Sequence, residues 1–209
     1  AGDFNTSNID VSFRDLANNL IDAPDTLLFD IYGTFSLDYT AGWNLVSLSV
    51  INPSVAGTPL LTADDLATAM GASVVTRWDT ATQRYDNYIV GFHYPVEAFA
   101  LSADEAYWVW MSSAGSQNID GGLPHQRTVP LVENWNMVGY MSPNAVGDIQ
   151  TDWADQITCG ALDDIAWYDG ADFQHYIFST PGVPLNPGTG YFVWSDTATN
   201  LTYGRWTDK

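Results

Sequence analysis

Lysine is almost missing from this chain. Lys209 is the only one, and Lys and Arg together number six against 25 Asp and Glu, for a net charge of −19. Phosphate backbones and anionic membrane surfaces are held by clusters of Lys and Arg, so both are excluded as partners. An internal Schiff-base or cross-linking lysine is excluded with them. Cysteine is nearly as scarce: Cys159 stands alone, so there is no disulfide framework, no CxxC pair and no thiolate zinc site. No stretch approaches the ~20 consecutive apolar residues of a membrane-spanning helix. Glutamate is limited to Glu97, Glu105 and Glu133. The acids are therefore mostly Asp, the residue of turns and helix caps, on a surface that keeps copies of the chain apart.

Aromatic rings are abundant, with nine Trp, eleven Tyr and nine Phe. Apolar residues make up 46% and charged residues 15%, a balance that folds rather than staying disordered. The rings recur in order. Trp43-Asn44-Leu45-Val46 is echoed by Trp135-Asn136-Met137-Val138, and the run Ala106–Met111 (AYWVWM) by Gly190–Trp194 (GYFVW). Trp43 and Trp135 are 92 residues apart, Trp78 and Trp167 are 89, Tyr88 and Tyr176 are 88, and Tyr107 and Tyr191 are 84. The spacing shrinks in one direction, as small loop deletions in a second copy would make it. Thr62–Gly71 and Thr151–Gly160 match in length, each opening on a cap-forming Thr and closing on Gly, and each reads as a short helix.

The predicted fold is mainly β with short helices (α+β): two tandem, pseudo-symmetric β-rich repeats, each with one short helix. Residues 1–32 stand outside the repeats as an N-terminal segment or the end of a preceding domain. Repeat one covers 33–123 and repeat two 124–209. In repeat one, Trp43–Val50 reads as a strand, Val74–Trp78 and Tyr85–Val90 as a hairpin, and Ser113–Gly122 as a Gly-rich loop. In repeat two, Ile165–Tyr168 and Phe173–Phe178 form the hairpin, with Asp169-Gly170 at its turn.

These motifs resemble a family. The second copy, with Trp135-Asn136-Met137-Val138, Trp167-Tyr168-Asp169 and Leu185-Asn186-Pro187-Gly188-Thr189-Gly190-Tyr191, is similar to a tandem Trp-Asn…Gly-Tyr-x-Val repeat of archaeal and bacterial cell-surface and secreted proteins. The first copy departs from it at Ala103-Asp104-Glu105-Ala106, where Pro-Gly-x-Gly is lost. The resemblance spans roughly residues 35–206. It implies a non-catalytic structural or adhesive module at the cell surface or outside the cell.

Candidate chemistry begins with the aromatic strands. Alternation sends Tyr107, Val109 and Met111 to one face and Trp108 and Trp110 to the other; Tyr191 and Val193 likewise oppose Phe192 and Trp194. If the second face is open, Trp108, Trp110, Phe192 and Trp194 form a surface for a glycan or a surface protein, because a π-face suits the C–H face of a sugar. That makes a carbohydrate-binding module the alternative function, with or without calcium. The metal candidates are Asp163, Asp164, Asp169 and Asp172, which crowd the second hairpin but lack the ligand spacing of a helix–loop–helix calcium site. No other cofactor is implied. His93, His125 and His175 show no zinc spacing, and there is no GxSxG elbow. Cys159 aligns with Met70, an apolar packing position. A hydrolase with an unrecognised carboxylate pair is the remote alternative.

Overall fold

The computed structural model describes residues 32–122, 127–140, 147–149, 153, 165–176 and 183–203. Strands dominate. In chain order they are β1 (Tyr32–Tyr39), β2 (Gly42–Ser47), β3 (Ile51–Val55), β4 (Thr58–Pro59), then helix α1 (Ala63–Met70), β5 (Val74–Asp79), β6 (Arg84–Ile89), β7 (Ala106–Met111) and β8 (Gly115–Gly122). There follow β9 (Arg127–Leu131), β10 (Asn134–Gly139), β11 (Gly147–Asp148), β12 (Ile165–Tyr168), β13 (Phe173–Tyr176), β14 (Pro184–Leu185), β15 (Gly190–Ser195) and β16 (Thr199–Tyr203).

Two four-stranded antiparallel sheets carry the rings, in the orders β2-β7-β5-β6 and β10-β15-β12-β13. In the first, Trp43 pairs with Trp110 and Val46 with Tyr107; in the second, Trp135 pairs with Trp194 and Val138 with Tyr191. Two flanking sheets lie upstream and downstream in the chain: β1-β8-β3-β4, and β9 with β16. Tyr39 faces Gly115 in one, and Leu131 faces Thr199 in the other.

The Trp-Asn pairs owe their place to the Asn. Asn44 accepts the Thr40 amide proton at 2.9 Å and donates to the carbonyls of Thr40 and Gly42 at 2.9 and 3.1 Å. Asn136 does the same with Val132, at 2.9 Å each way, and with Asn134 at 3.0 Å. Both side chains are buried, so each satisfies backbone groups that would otherwise be stranded at a sharp entry into the strand. The residue before each Trp sits in the left-handed region, Gly42 at φ 97° and Asn134 at φ 79°, which Gly and Asn tolerate best. The tyrosines act similarly: Tyr107 Oη accepts the Ser102 amide proton at 2.6 Å, and Tyr191 Oη accepts that of Asn186 at 2.8 Å.

Helix α1 starts where its sequence requires. Thr62 Oγ1 accepts the Asp65 amide proton, and the Asp65 carboxylate accepts that of Thr62 at 2.8 Å, a reciprocal cap. Gly71, at φ 69°, ends it. Leu66 and Met70 face inward, joining Leu48, Val75, Tyr107, Val109 and Ile119 in a first core. A second core gathers Ile149, Trp153, Ile165, Tyr191, Val193 and Leu201. A third, of Leu45, Ala106, Met137, Ala166 and Phe192, lies between the two ring-bearing sheets.

Those sheets are joined by reciprocal backbone hydrogen bonds. The Ser47 amide donates to Gly188 O at 2.8 Å, and the Gly139 amide to Asp104 O at 3.0 Å. Isolated bridges pair Val46 with Thr189 and Val138 with Glu105. The approach leaves no room for side chains: a Cβ on Gly190 would lie 2.5 Å from the Ala106 methyl, and one on Gly139 would lie 2.6 Å from Glu105 O.

Three expectations change. Residues 113–122 are not a loop: from Gly115 on they form β8, and Gly121 is glycine because the backbone and Val50 side chain on its flank would meet a Cβ at 2.7 and 2.6 Å. The first aromatic strand's partner is shorter than predicted, ending at Ser47 rather than Val50. Trp78 stands opposite Tyr85, whereas Trp167 stands opposite Gln174; Tyr168, opposite Phe173, has the place that Trp78 has in the first hairpin. The expected segment 1–32, apart from Tyr32, lies outside the described residues, as does the helix at 151–160 apart from the buried Trp153.

Two outcomes follow. Gly190→Ala forces apart the closest approach of the two sheets and lowers stability by about 1–3 kcal/mol, read by urea denaturation. Glu105, half-buried beside the seam, has its carboxyl pushed above the ordinary 4.5 chiefly by burial, against a hydrogen bond from Tyr107. Its folded-state pKa exceeds its unfolded one, so the cost of ionising it is absent below pH ~4.5 and grows as pH rises through the window above. Glu105→Gln therefore raises Tm at pH 7, and the gain shrinks toward nothing near pH 4 in thermal scans across that range.

Candidate binding clefts

The rings that point away from the two outer cores meet where the sheets face each other. Along β7, burial falls from Ala106, fully buried, through half-buried Trp108 to Trp110, 39% exposed. Along β15 it falls from buried Gly190 through Phe192 to half-buried Trp194. The sheets are tight at the glycine seam and open toward solvent.

Cross-strand pairing arranges the rings edge to face. Trp43 and Trp110 lie 5.2 Å apart at 75°, and Trp135 and Trp194 lie 5.3 Å apart at 77°. Trp43 also meets Trp108 at 6.2 Å, and Trp135 meets Phe192 at 6.1 Å. At the hairpins, Trp78 contacts Tyr85 at 4.9 Å, and Tyr168 contacts Phe173 at 5.7 Å. Such pairs add roughly 0.5–1.5 kcal/mol each beyond the area they bury.

Two open cavities result. The first, of about 430 Å³, is lined by Trp43, Thr76, Tyr85, Asn87 and Trp108 of the first sheet and Tyr168 and Phe173 of the second. The second, of about 360 Å³, is lined by Trp135, Ala166, Phe173, His175 and Phe192 of the second sheet and Trp78 and Tyr85 of the first. Tyr85 and Phe173 belong to both. Each cleft therefore exists only because a hairpin of one sheet reaches the strands of the other.

Polar groups are few and fixed. In the first cleft the buried Thr76 hydroxyl donates to Asn87 Oδ1 at 2.8 Å, orienting the exposed Asn87 amide. Burial pushes the Tyr85 phenol up, partly offset by the Trp108 indole N–H. At the second cleft Trp78 Nε1 donates to Trp135 O at 3.0 Å. Gln83 brackets the same residue, donating to Trp135 O at 3.0 Å and accepting from its amide at 3.2 Å. The hairpin tips are acidic. Asp79 accepts the amide protons of Ala81 and Thr82, and Asp169 those of Ala171 and Asp172. A hydrogen bond from the Thr82 side chain foremost, with these amides behind it, holds the Asp79 carboxyl below its usual 3.8, and the Asp172 amide foremost does the same for Asp169, so both tips stay charged at neutral pH.

A third cavity of about 440 Å³ adjoins the first through Tyr168 and is polar, with Ser36, Asp38, Thr40, Asn44, Asn186 and Thr189 on its walls.

Of the ring residues expected from sequence, Trp108 lines the first cleft and Phe192, only 7% exposed, the second. Trp110 stands outside both as the edge partner of Trp43, and Trp194 Nε1 is tied to Asp196 at 2.8 Å. Sequence reasoning missed the rings Trp43, Trp78, Tyr85, Trp135, Tyr168 and Phe173. Their signal was present: each sits at or next to the end of a strand that pairs with a ring-bearing one. Of the metal candidates, Asp163 and Asp164 lie outside the described residues. Asp169 spends Oδ1 on its own turn and Oδ2 on Gln174, while Asp172 is exposed. Among the described residues no three His, Cys, Asp or Glu side chains are grouped to hold a metal. His125 and Cys159 are outside them; His93 accepts the Ile89 amide proton and stacks on Tyr88.

The arrangement can stack flat or apolar groups between rings and offer a few oriented hydrogen bonds. Among known proteins, no family model, no curated protein and no solved structure matches this chain.

The rings differ in what they hold together. Phe192→Ala is expected to cost about 3–5 kcal/mol, since it empties the core between the sheets, whereas Trp110→Ala costs about 1 kcal/mol. Urea midpoints of the two variants check this; equal losses would place both rings in the same environment.

Proposed function

We propose that this chain is one folding unit written twice, serving as a non-catalytic adhesive module of a cell-surface or extracellular protein and holding its partner in the paired aromatic clefts. One observation carries the reading. Every wall of the first cleft has a counterpart in the second: Trp43 and Trp135, Thr76 and Ala166, Tyr85 and Phe173, Asn87 and His175, Trp108 and Phe192, Tyr168 and Trp78, Phe173 and Tyr85. The same correspondence runs through strand order, register, the Asn and Tyr hydrogen bonds and the seam. An exchange of partners of this kind is what a pseudo-two-fold axis between two copies produces. Half-exposed rings at the mouths, among them Trp43 at 39% and Tyr85 at 49%, favour binding over a purely structural role. The acidic, Lys-poor surface and the resemblance to surface repeats support an extracellular setting.

A second reading, carbohydrate binding, is favoured by the polar cavity beside the first cleft. Calcium, if it assists, would show as a gain in binding that a chelator reverses.

An array carrying glycans and surface proteins, probed with the chain and with a Trp108→Ala/Phe173→Ala variant of unchanged circular dichroism, tests the reading. Binding that drops at least tenfold in the variant is expected; full retention would move the binding surface elsewhere.

A further inference from the structure

We propose that the two clefts and the polar cavity next to them form one continuous site for an uncharged oligosaccharide, laid across Tyr85 and Phe173 with a defined direction. The proposal rests on the reading of the clefts as the binding surface and names what fills them.

A sugar ring is amphipathic: its C–H face packs on aromatic rings and its hydroxyl rim needs hydrogen-bonding partners. The first cleft supplies both. Trp108 and Tyr168 wall it, 5.2 Å apart at 67°. Asn87, oriented by Thr76, presents an amide. Tyr168 then leads into the polar cavity, where Asp38 and Asn186 await the rim. A purely apolar partner would leave that cavity unused. Each cleft, at about 430 and 360 Å³, lies at the low end of the roughly 300–1,000 Å³ of small-ligand sites, so a chain of units is needed to span the pair.

Direction comes from the unequal ends. At the second cleft the backbone carbonyl and amide of Trp135 are already taken by Gln83, carried on a first hairpin with a tip two residues longer. The polar cavity shares Tyr168 with the first cleft and no wall residue with the second. Charge narrows the class further. With net charge −19 and ionised Asp79 and Asp169 at the tips, acidic glycans are repelled and uncharged ones are not. A basic peptide would be drawn by the same field, and is the competing occupant.

Titration by calorimetry and tryptophan fluorescence separates them. The probes are uncharged oligosaccharides of two to six units built from common hexoses and N-acetylhexosamines, a polyuronate of the same lengths, and an oligo-arginine peptide. Binding of at least one uncharged series is expected, tightening with length, with the polyuronate at least tenfold weaker. Trp108→Ala should weaken it at least tenfold, and Asp38→Asn several-fold. His175→Ala should weaken the longer chains only. Binding of the peptide alone, lost in Trp108→Ala, would overturn the ligand class while leaving the clefts as the binding surface. Sugar binding that no cleft variant alters would overturn the clefts themselves. If no probe binds, the proposal is wrong.

Discussion

The approach of Gly190 to Ala106 is the constraint on which the ring-bearing half of the molecule depends. A strand residue normally projects a side chain at each step, and two sheets facing each other keep about 10 Å between them. Here one position carries no Cβ and its neighbour carries only a methyl, so the backbones come close enough for Ser47 and Gly139 to donate across the boundary. Backbone bonds between two units are directional, and they set how the sheets lie on each other more strictly than apolar contact could.

From that seam the rest of the interface follows in steps of two residues. Trp108 and Phe192 are the next side chains outward, with ring centroids 6.5 Å apart, and Trp110 and Trp194 come after them, nearer to solvent. One strand face thus does three jobs: a closed contact at Ala106 and Gly190, a wall at Trp108 and Phe192, and a rim at Trp110 and Trp194. Rings meeting edge to face leave gaps that branched aliphatic side chains would fill, and the two hairpins turn those gaps into clefts by reaching across. Acidic tips that hold their own turn amides keep the mouths charged without being free to collapse inward.

Much of this was legible in the chain. The β-rich fold with a short helix at 63–70 followed from period-two runs and from Thr62 and Gly71, because caps and alternation are local. Alternation also separated Tyr107 and Val109, in the core, from Trp108 and Trp110. The glycines of 113–122 misled, since Gly in a strand marks a close neighbour as readily as a turn, and which one depends on Val50 and Ile51, far away in sequence. Matching Trp78 with Trp167 failed by one residue because identity of letter is weaker than register: Tyr168 is the residue that points where Trp78 points. Most of the cleft walls were missed for a related reason. Each cleft draws its walls from both sheets, and nothing local says that Tyr168 lies against Trp108.

By itself the sequence determined the sign and size of the chain's charge and, through caps, turns and alternation, the secondary structure. It also carried the echo of rings and Asn residues at a drifting spacing. Tertiary structure alone decided which of the rings on the other face are cleft walls and which stand outside, as Trp108 and Trp110 do. That choice depends on the distance and angle between two sheets, which are set by contacts between residues some 50 to 90 positions apart, such as Gln83 with Trp135 and Ala106 with Gly190, and no short window of sequence contains both members of such a pair.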